Sequence, residues 1–335
     1  MAGHGPVRWG ILGTGTIASR FAADLRLVPD AAAHAVGSRT REAAEAFGER
    51  FAVPVRHAGY RSLLDDPGVD AVYVAVPHPW HHAWARAALE AGKAVLCEKP
   101  FTVNAAEARE LVATARSRRL FLMEAMWNRF LPSLVRVREI LDRGELGAIR
   151  TLRAGLGVRM PADPEGRLLA PGLGGGALLD LGIYPVSFAS FVLGRPESVT
   201  AVGTRAATGV DAQCSAVLGY ADGSQALVHT TLEVDTGDCT VVAGTEGRIE
   251  LAGPLYDPTS VRLIRGTGPG ATVAEPRETT HRGHGLHFEA AEVGRCLREG
   301  LLESPVVPLD ESVLIMETLD EIRAQIGLRY PFERG

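Results

Sequence analysis

The chain has 335 residues, 46% hydrophobic and 6% aromatic, with 35 basic against 40 acidic side chains and a formal net charge of −5. That length accommodates two domains with separate cores, and mixed charge without a basic stripe gives no footing for nucleic-acid binding, so a small molecule is the expected partner. Four cysteines, Cys97, Cys214, Cys239 and Cys296, show no Cys-x-x-Cys spacing and read as reduced core residues. The N-terminus has neither the basic region nor the apolar run of a signal peptide or membrane span, which predicts a cytoplasmic protein with no membrane partner.

Val7-Arg8-Trp9-Gly10-Ile11-Leu12 reads as a first strand, and Gly13-Thr14-Gly15-Thr16-Ile17-Ala18 opens an apolar-periodic helix through Phe21, Leu25 and Val28. This is a dinucleotide-binding fingerprint with alanine in the third place. Gly13 permits the tight turn, Gly15 the approach of a pyrophosphate, and Ala18 close helix packing, while the helix N-terminus offers free N–H groups. A second strand, Ala33 to Gly37, ends in Ser38-Arg39-Thr40-Arg41, where an NAD-binding protein would place an acid for the ribose hydroxyls. A hydroxyl with Arg39 and Arg41 suits a 2′-phosphate instead, so NADP(H) is favoured over NAD(H). After helices from Glu42 to Phe51 and from Tyr60 to Leu64, the strand Asp70 to Val76 runs into the crevice loop Pro77-His78-Pro79-Trp80-His81-His82. Its proline-broken histidine spacing does not fit a metal site.

A helix from Trp80 to Ala91, ended by Gly92, leads to the strand Ala94-Val-Leu-Cys-Glu98. Open α/β sheets bind ligands outside the carboxyl ends of such strands, which puts Glu98 and Lys99 at the crevice; Pro100 stops the strand there. Among the basic residues only Lys93 and Lys99 are lysine. Because arginine cannot give up its proton or fit a compact site, Lys99 is expected to be chemical, and Lys93, at the remote strand end, to serve charge or solubility alone. Asn104 and Glu107 form a capping pair for a helix to Arg118, and Leu120 to Met123 is the last strand of the first domain.

Trp127 and Arg129 follow at the domain junction as candidates for the substrate side, before a helix from Ser133 to Arg143. Gly174-Gly-Gly-Ala-Leu-Leu-Asp180-Leu-Gly-Ile-Tyr184 opens an apolar helix in which Asp180 and Tyr184, four apart, share one face; the carboxylate needs a partner, and Tyr184 beside a cation is a candidate proton donor. Ser198–Val202, Cys214–Gly219, Ala226–Leu232, Cys239–Ala243, Arg248–Leu251 and Val261–Ile264 alternate as strands of an antiparallel sheet with hairpins. After a loop from Gly266 to His284, helices run from His287 to Arg298 and from Asp310, as N-cap, to Ile326, with Gly327 as terminator.

With Gly92-Lys-Ala-Val-Leu-Cys-Glu-Lys-Pro100, Leu122-Met-Glu-Ala125, Gly175-Gly-Ala-Leu-Leu-Asp180-Leu-Gly-Ile-Tyr184 and Thr208-Gly-Val-Asp211, the chain resembles, over nearly its whole length, the glucose–fructose oxidoreductase, inositol dehydrogenase and rhizopine catabolism family of NAD(P)-dependent oxidoreductases. The resemblance implies an α/β fold: a Rossmann domain, here 1–125, joined to an α+β domain, here 126–335, whose large, open, mostly antiparallel sheet often mediates dimers. It implies catalytic roles for Lys99, Asp180 and Tyr184 and a cofactor-side loop containing His78 and His81. Many members carry histidine where Tyr184 stands, and one branch carries tryptophan in place of Tyr256, before Asp257-Pro258. The resulting expectation is hydride transfer between NADP(H) and a secondary alcohol or ketone of a sugar, polyol or cyclic diol, in a homodimer or higher homo-oligomer. A ketoreductase of nucleotide-linked sugars, an NAD-dependent glycosidase and a silent NADP sensor are the alternatives.

Overall fold

A computed structural model describes residues 5–160, 163–237, 240–274 and 277–333. The chain divides into two units: Met1–Phe130 with His281–Val313, and Leu131–Thr280 with Leu314–Gly335. A single cut at 125 does not describe this division, because the segment from His281 returns to the first unit. Cys97, Cys214 and Cys296 are buried free thiols; Cys239 lies outside the described residues.

In the first unit, β1 (Val7–Leu12), α1 (Thr16–Asp24), β2 (Ala31–Ser38), α2 (Arg41–Phe51), β3 (Val55–Ala58), α3 (Tyr60–Leu64), β4 (Ala71–Val74), α4 (His81–Glu90), β5 (Ala94–Glu98), α5 (Ala105–Arg118) and β6 (Leu122–Ala125) alternate. All pairings are parallel, in the order β3-β2-β1-β4-β5-β6. That is a doubly wound sheet, whose order reverses beside β1 and so opens a crevice at the strand ends. Trp9 on β1, Phe21 on α1 and Tyr73 on β4 tie helix to sheet, with ring centroids 5.2 and 3.8 Å apart. The predicted α1 is cut short: Leu25–Leu27 is a 3-10 turn and Val28 is extended, as Pro29 demands of the residue before it. β3 gave no sequence signal, since it is a short edge strand with no fully buried residue.

Lys93 corrects another expectation. It is buried, and its Nζ donates to the carbonyls of Asp66 at 2.7 Å and Val69 at 2.9 Å. A scarce lysine here closes the loop before β4 rather than serving charge or solubility alone.

In the second unit, α6 (Pro132–Asp142), β7 (Ile149–Gly157), a π-helical turn (Leu178–Gly182), α7 (Ile183–Leu193) and strands β8 (Ser198–Arg205), β9 (Asp211–Gly219), β10 (Gln225–Thr231), β11 (Thr240–Gly244), β12 (Gly247–Ala252) and β13 (Ser260–Arg265) follow. Thr272–Val273 (β14) and Arg277–Glu278 (β15) both pair with β13. The sheet runs β14-β13-β12-β11-β7-β10-β9-β8. It is antiparallel except that β10 lies parallel to β7, the mostly antiparallel sheet that was expected. β7 escaped notice because leucine and alanine carry its buried face while arginine and glycine carry the other. The stretch Pro171–Leu193 is long and apolar enough to cross a membrane, yet is mostly buried within this unit and covers the inner sheet face.

The chain then returns to the first unit with α8 (Leu286–Glu299), whose opening amides at His284 and Leu286 donate to the carboxylate of Asp24 at the end of α1. α9 (Leu309–Gln325) starts one residue before the expected cap. Asp310 therefore sits inside its first turn and pairs with Arg116 at 2.9 Å, while Glu303 accepts from the Leu309 amide at 2.7 Å.

Candidate active site

The nucleotide end of the first unit is shaped by glycine. Gly13 has φ +111°, and a Cβ there would meet the Ala75 carbonyl oxygen at 2.4 Å; Gly15, the N-cap of α1, would meet nothing. Only glycine satisfies the first position, and the second leaves open space in front of the helix. Ala18 is fully buried against the sheet, while Thr14, Thr16 and Ile17 keep part of their surface exposed. With no side-chain cap and no acid in its first turn, α1 presents unused amides and its positive dipole end, which suits a pyrophosphate. These features fit a dinucleotide.

At the end of β2 the buried Ser38 hydroxyl lies 3.4 Å from that of Thr14, and Arg39 and Arg41 are exposed. Asp30, at the other end of the strand, is paired with Arg298, so no acid of this strand reaches the crevice. The loop after β4 carries Pro77 and the buried His78, whose ring centroid lies 5.6 Å from that of His81. His81 is buried with its nitrogens 2.8 Å from the carbonyls of Pro100 and Val76. Burial pushes its imidazolium down to about 4, against the two carbonyls that favour it; the neutral ring donates to one of these carbonyls at a time, according to its tautomer.

Lys99 emerges from β5 half-buried. Its amide donates to the Glu98 carboxylate at 3.0 Å, the other oxygen of which accepts from the Tyr73 hydroxyl. The following peptide is cis at Pro100, and the Phe101 amide donates to Glu124 at 3.0 Å. Trp127 and Arg129 occupy a 3-10 turn after β6, where the buried guanidinium binds Glu311 at 2.6 Å.

The second unit assembles Asp180, Tyr184 and Tyr256. Asp180 sits in the π-helical turn and Tyr184 in the first turn of α7, both buried. The chain passes from a wider π turn at Asp180 into regular α-helix at Tyr184. Such turns concentrate at functional sites. The partner Asp180 required is Arg167, with contacts of 2.7 and 3.3 Å, a residue that no spacing rule could select from a glycine-rich loop. Tyr184 and Tyr256 lie with ring centroids 5.8 Å apart. The helix start is fixed by Asp211, which accepts from the Leu178 amide at 2.6 Å, and by the Tyr330 hydroxyl, which donates to Gly175 at 2.7 Å. A Cβ at Gly176, φ +121°, would meet Asp211 Oδ1 at 2.0 Å. Burial raises the Asp211 carboxyl to about 7 although that amide favours its charge. Asp211 thus has a positioning role within a motif whose purpose was not legible.

The family description "Oxidoreductase family, NAD-binding Rossmann fold" matches residues 7–126, and the "GFO/IDH/MocA C-terminal domain" matches 134–250. The chain is 40% identical to trans-1,2-dihydrobenzene-1,2-diol dehydrogenase of Homo sapiens, covering 98% of this chain and 99% of that protein. It is 36% identical to the protein of the same name from Xenopus tropicalis, covering 97% and 99%. Among solved structures, a 3-ketoreductase from Actinomadura kijaniata in complex with NADP and TDP-benzene superposes with a TM-score of 0.85 at 28% identity, over 96% of this chain and 98% of that one. The chain is therefore a nicotinamide-dependent dehydrogenase or reductase acting on CH–OH groups, and it belongs to the glucose–fructose oxidoreductase, inositol dehydrogenase and rhizopine catabolism family.

Proposed function

We propose that the protein is a cytoplasmic NADP(H)-dependent oxidoreductase that interconverts a secondary alcohol and a ketone in an uncharged sugar, polyol or cyclic diol. The observation that carries the substrate class is the pairing of the exposed Arg167 with the buried Asp180, four residues before the buried Tyr184. A carboxylate paired with a guanidinium accepts hydrogen bonds and donates none. It suits a substrate hydroxyl, and its charge is already balanced by Arg167. The cofactor preference is supported by the acid-free end of β2, where Ser38 and the exposed Arg39 offer a hydroxyl and a guanidinium to a 2′-phosphate.

When bound, the nicotinamide supplies the hydride acceptor or donor. In oxidation Tyr184 takes the hydroxyl proton as the carbon–oxygen double bond forms, and in reduction it returns that proton to the alkoxide. Lys99 contributes positive charge to stabilise the oxygen as it becomes anionic, and Asp180 orients a neighbouring hydroxyl. Structures of the Actinomadura kijaniata ketoreductase include variants with a lysine replaced by alanine and a tyrosine replaced by phenylalanine, the residue types assigned here. Its likeness also supports a second reading, reduction of a nucleotide-linked keto-sugar.

For assembly, we propose a homodimer or higher homo-oligomer. The outward face of β8, β9 and β10 exposes Val202, Val217 and Leu227, more contiguous apolar surface than single scattered residues provide. The deciding experiment follows net nicotinamide absorbance with uncharged sugars, diols and nucleotide-linked keto-sugars, each with NADP(H) and NAD(H). Turnover of uncharged substrates with NADP(H) is expected. Exclusive turnover of the nucleotide-linked substrates would favour the second reading, and product formation without net cofactor change would point to glycosidase chemistry.

A further inference from the structure

The turn carrying Lys99 is held by side chains at successive backbone groups. The Lys99 amide is bound by Glu98, the Pro100 carbonyl by His81, the Phe101 amide by Glu124 at 3.0 Å, and the Phe101 carbonyl by Cys97 Sγ at 3.5 Å. Glu124 is the member of this set with least reason to be there. It is fully buried at the middle of β6, paired in register with Cys97, where an apolar side chain would avoid the cost of desolvating a carboxyl. Its second oxygen accepts from the Ser312 hydroxyl at 2.7 Å, in the first turn of α9. One oxygen thus faces the lysine turn and the other is fixed from behind.

We infer that Glu124 is a positioning residue for Lys99, and that the Ser312–Glu124–Phe101 chain sets where the lysine ammonium stands. The inference rests on the proposed role of Lys99 in the reaction. Burial raises the Glu124 carboxyl to about 7. Either protonation state leaves Oε1 able to accept from the Phe101 amide, because a proton on Oε2 can be donated to Ser312. The contact therefore needs an acceptor of this shape rather than a charge, and a glutamine amide supplies one while its nitrogen donates to Ser312.

The test is a double-mutant cycle on turnover, with KM for cofactor and thermal midpoint measured alongside. Glu124→Leu is expected to lower kcat by about 10- to 100-fold, the scale of a misplacement of about 1 Å, with cofactor KM little changed. Glu124→Gln should recover most of that loss. In a Lys99→Ala background, Glu124→Leu should cost less than about twofold further, since groups acting as a unit are not additive. Equal losses in both backgrounds, or a glutamine no better than leucine, would overturn the inference. Native turnover in Lys99→Ala would instead remove the assigned role of Lys99, and the positioning role with it. Should Glu124→Leu not fold, Ser312→Ala releases the same carboxyl from its far side. A turnover loss there that disappears in the Lys99→Ala background is expected, and a loss that persists would count equally against the inference.

Discussion

The chain's two lysines separate stability from chemistry. Lys93→Met keeps the length of the side chain and removes its two hydrogen bonds to the carbonyls of Asp66 and Val69. A hydrogen bond involving a charged group contributes about 1.5–3 kcal/mol. Part of that is returned because a buried ammonium no longer has to be desolvated, and the Asp66 carbonyl keeps the Val69 amide as a partner. The net loss works out at about 2–3 kcal/mol, or about 5–10 °C in the midpoint for a unit of this size. Lys93→Arg should fall between, because the planar guanidinium keeps the charge and cannot converge on both carbonyls. Lys99→Met, half-buried at the crevice, should shift the midpoint by no more than about 2 °C. It should lower turnover by about 100-fold or more, the scale of a lost charge-stabilising donor. Differential scanning calorimetry beside steady-state kinetics reads both. Turnover falling in Lys93→Met with an unchanged midpoint, or Lys99→Met retaining native kcat, would refute the division.

Arg39→Asp should weaken NADPH binding by at least about tenfold while leaving NADH binding nearly unchanged; equal effects on both in a titration would remove the 2′-phosphate assignment. Tyr184→Phe should keep the fold and cofactor affinity and reduce kcat by about 10²- to 10⁴-fold, whereas unchanged turnover would return the ring to simple packing against Tyr256. Burial raises the Asp24 carboxyl, but hydrogen bonds from His284 and His287 outweigh it and hold the carboxyl below its ordinary range. A depressed carboxyl contributes stability above its unfolded value of about 3.9 that is lost as pH falls through the folded one. Asp24→Asn should therefore be less stable at pH 7 and should lose less stability than the wild type on acidification, as urea unfolding at several pH values would show. Light scattering at micromolar concentration should give at least a dimer, and Val217→Lys on the outward sheet face should yield a folded monomer; a wild-type monomer would remove that face as an interface.

Local signals determined much of this protein. The glycine pair Gly13 and Gly15, the capping pair Asn104 and Glu107, whose amide–carboxamide bond is 2.9 Å, and the six alternating runs after Ser198 each encode their conformation within a few residues, so they are legible without a third dimension. So was the placement of Lys99 at a strand end, because a buried strand broken by proline has one place to stop. Tertiary structure alone decided what depends on partners far along the chain. β10 lies parallel to β7 across the span between residues 157 and 225, and α8 starts on Asp24 some 260 positions away. Arg167 neutralises Asp180, and Glu124 reaches the Phe101 amide, through contacts that no periodicity records. Lys93 shows the limit of composition: scarcity marked two lysines alike, and only their surroundings distinguish an ammonium that binds two buried carbonyls from one at the crevice. The π-helical turn under Asp180 has the same origin. Its residues read as ordinary helix, and its first amide, at Leu178, is bound by the distant Asp211.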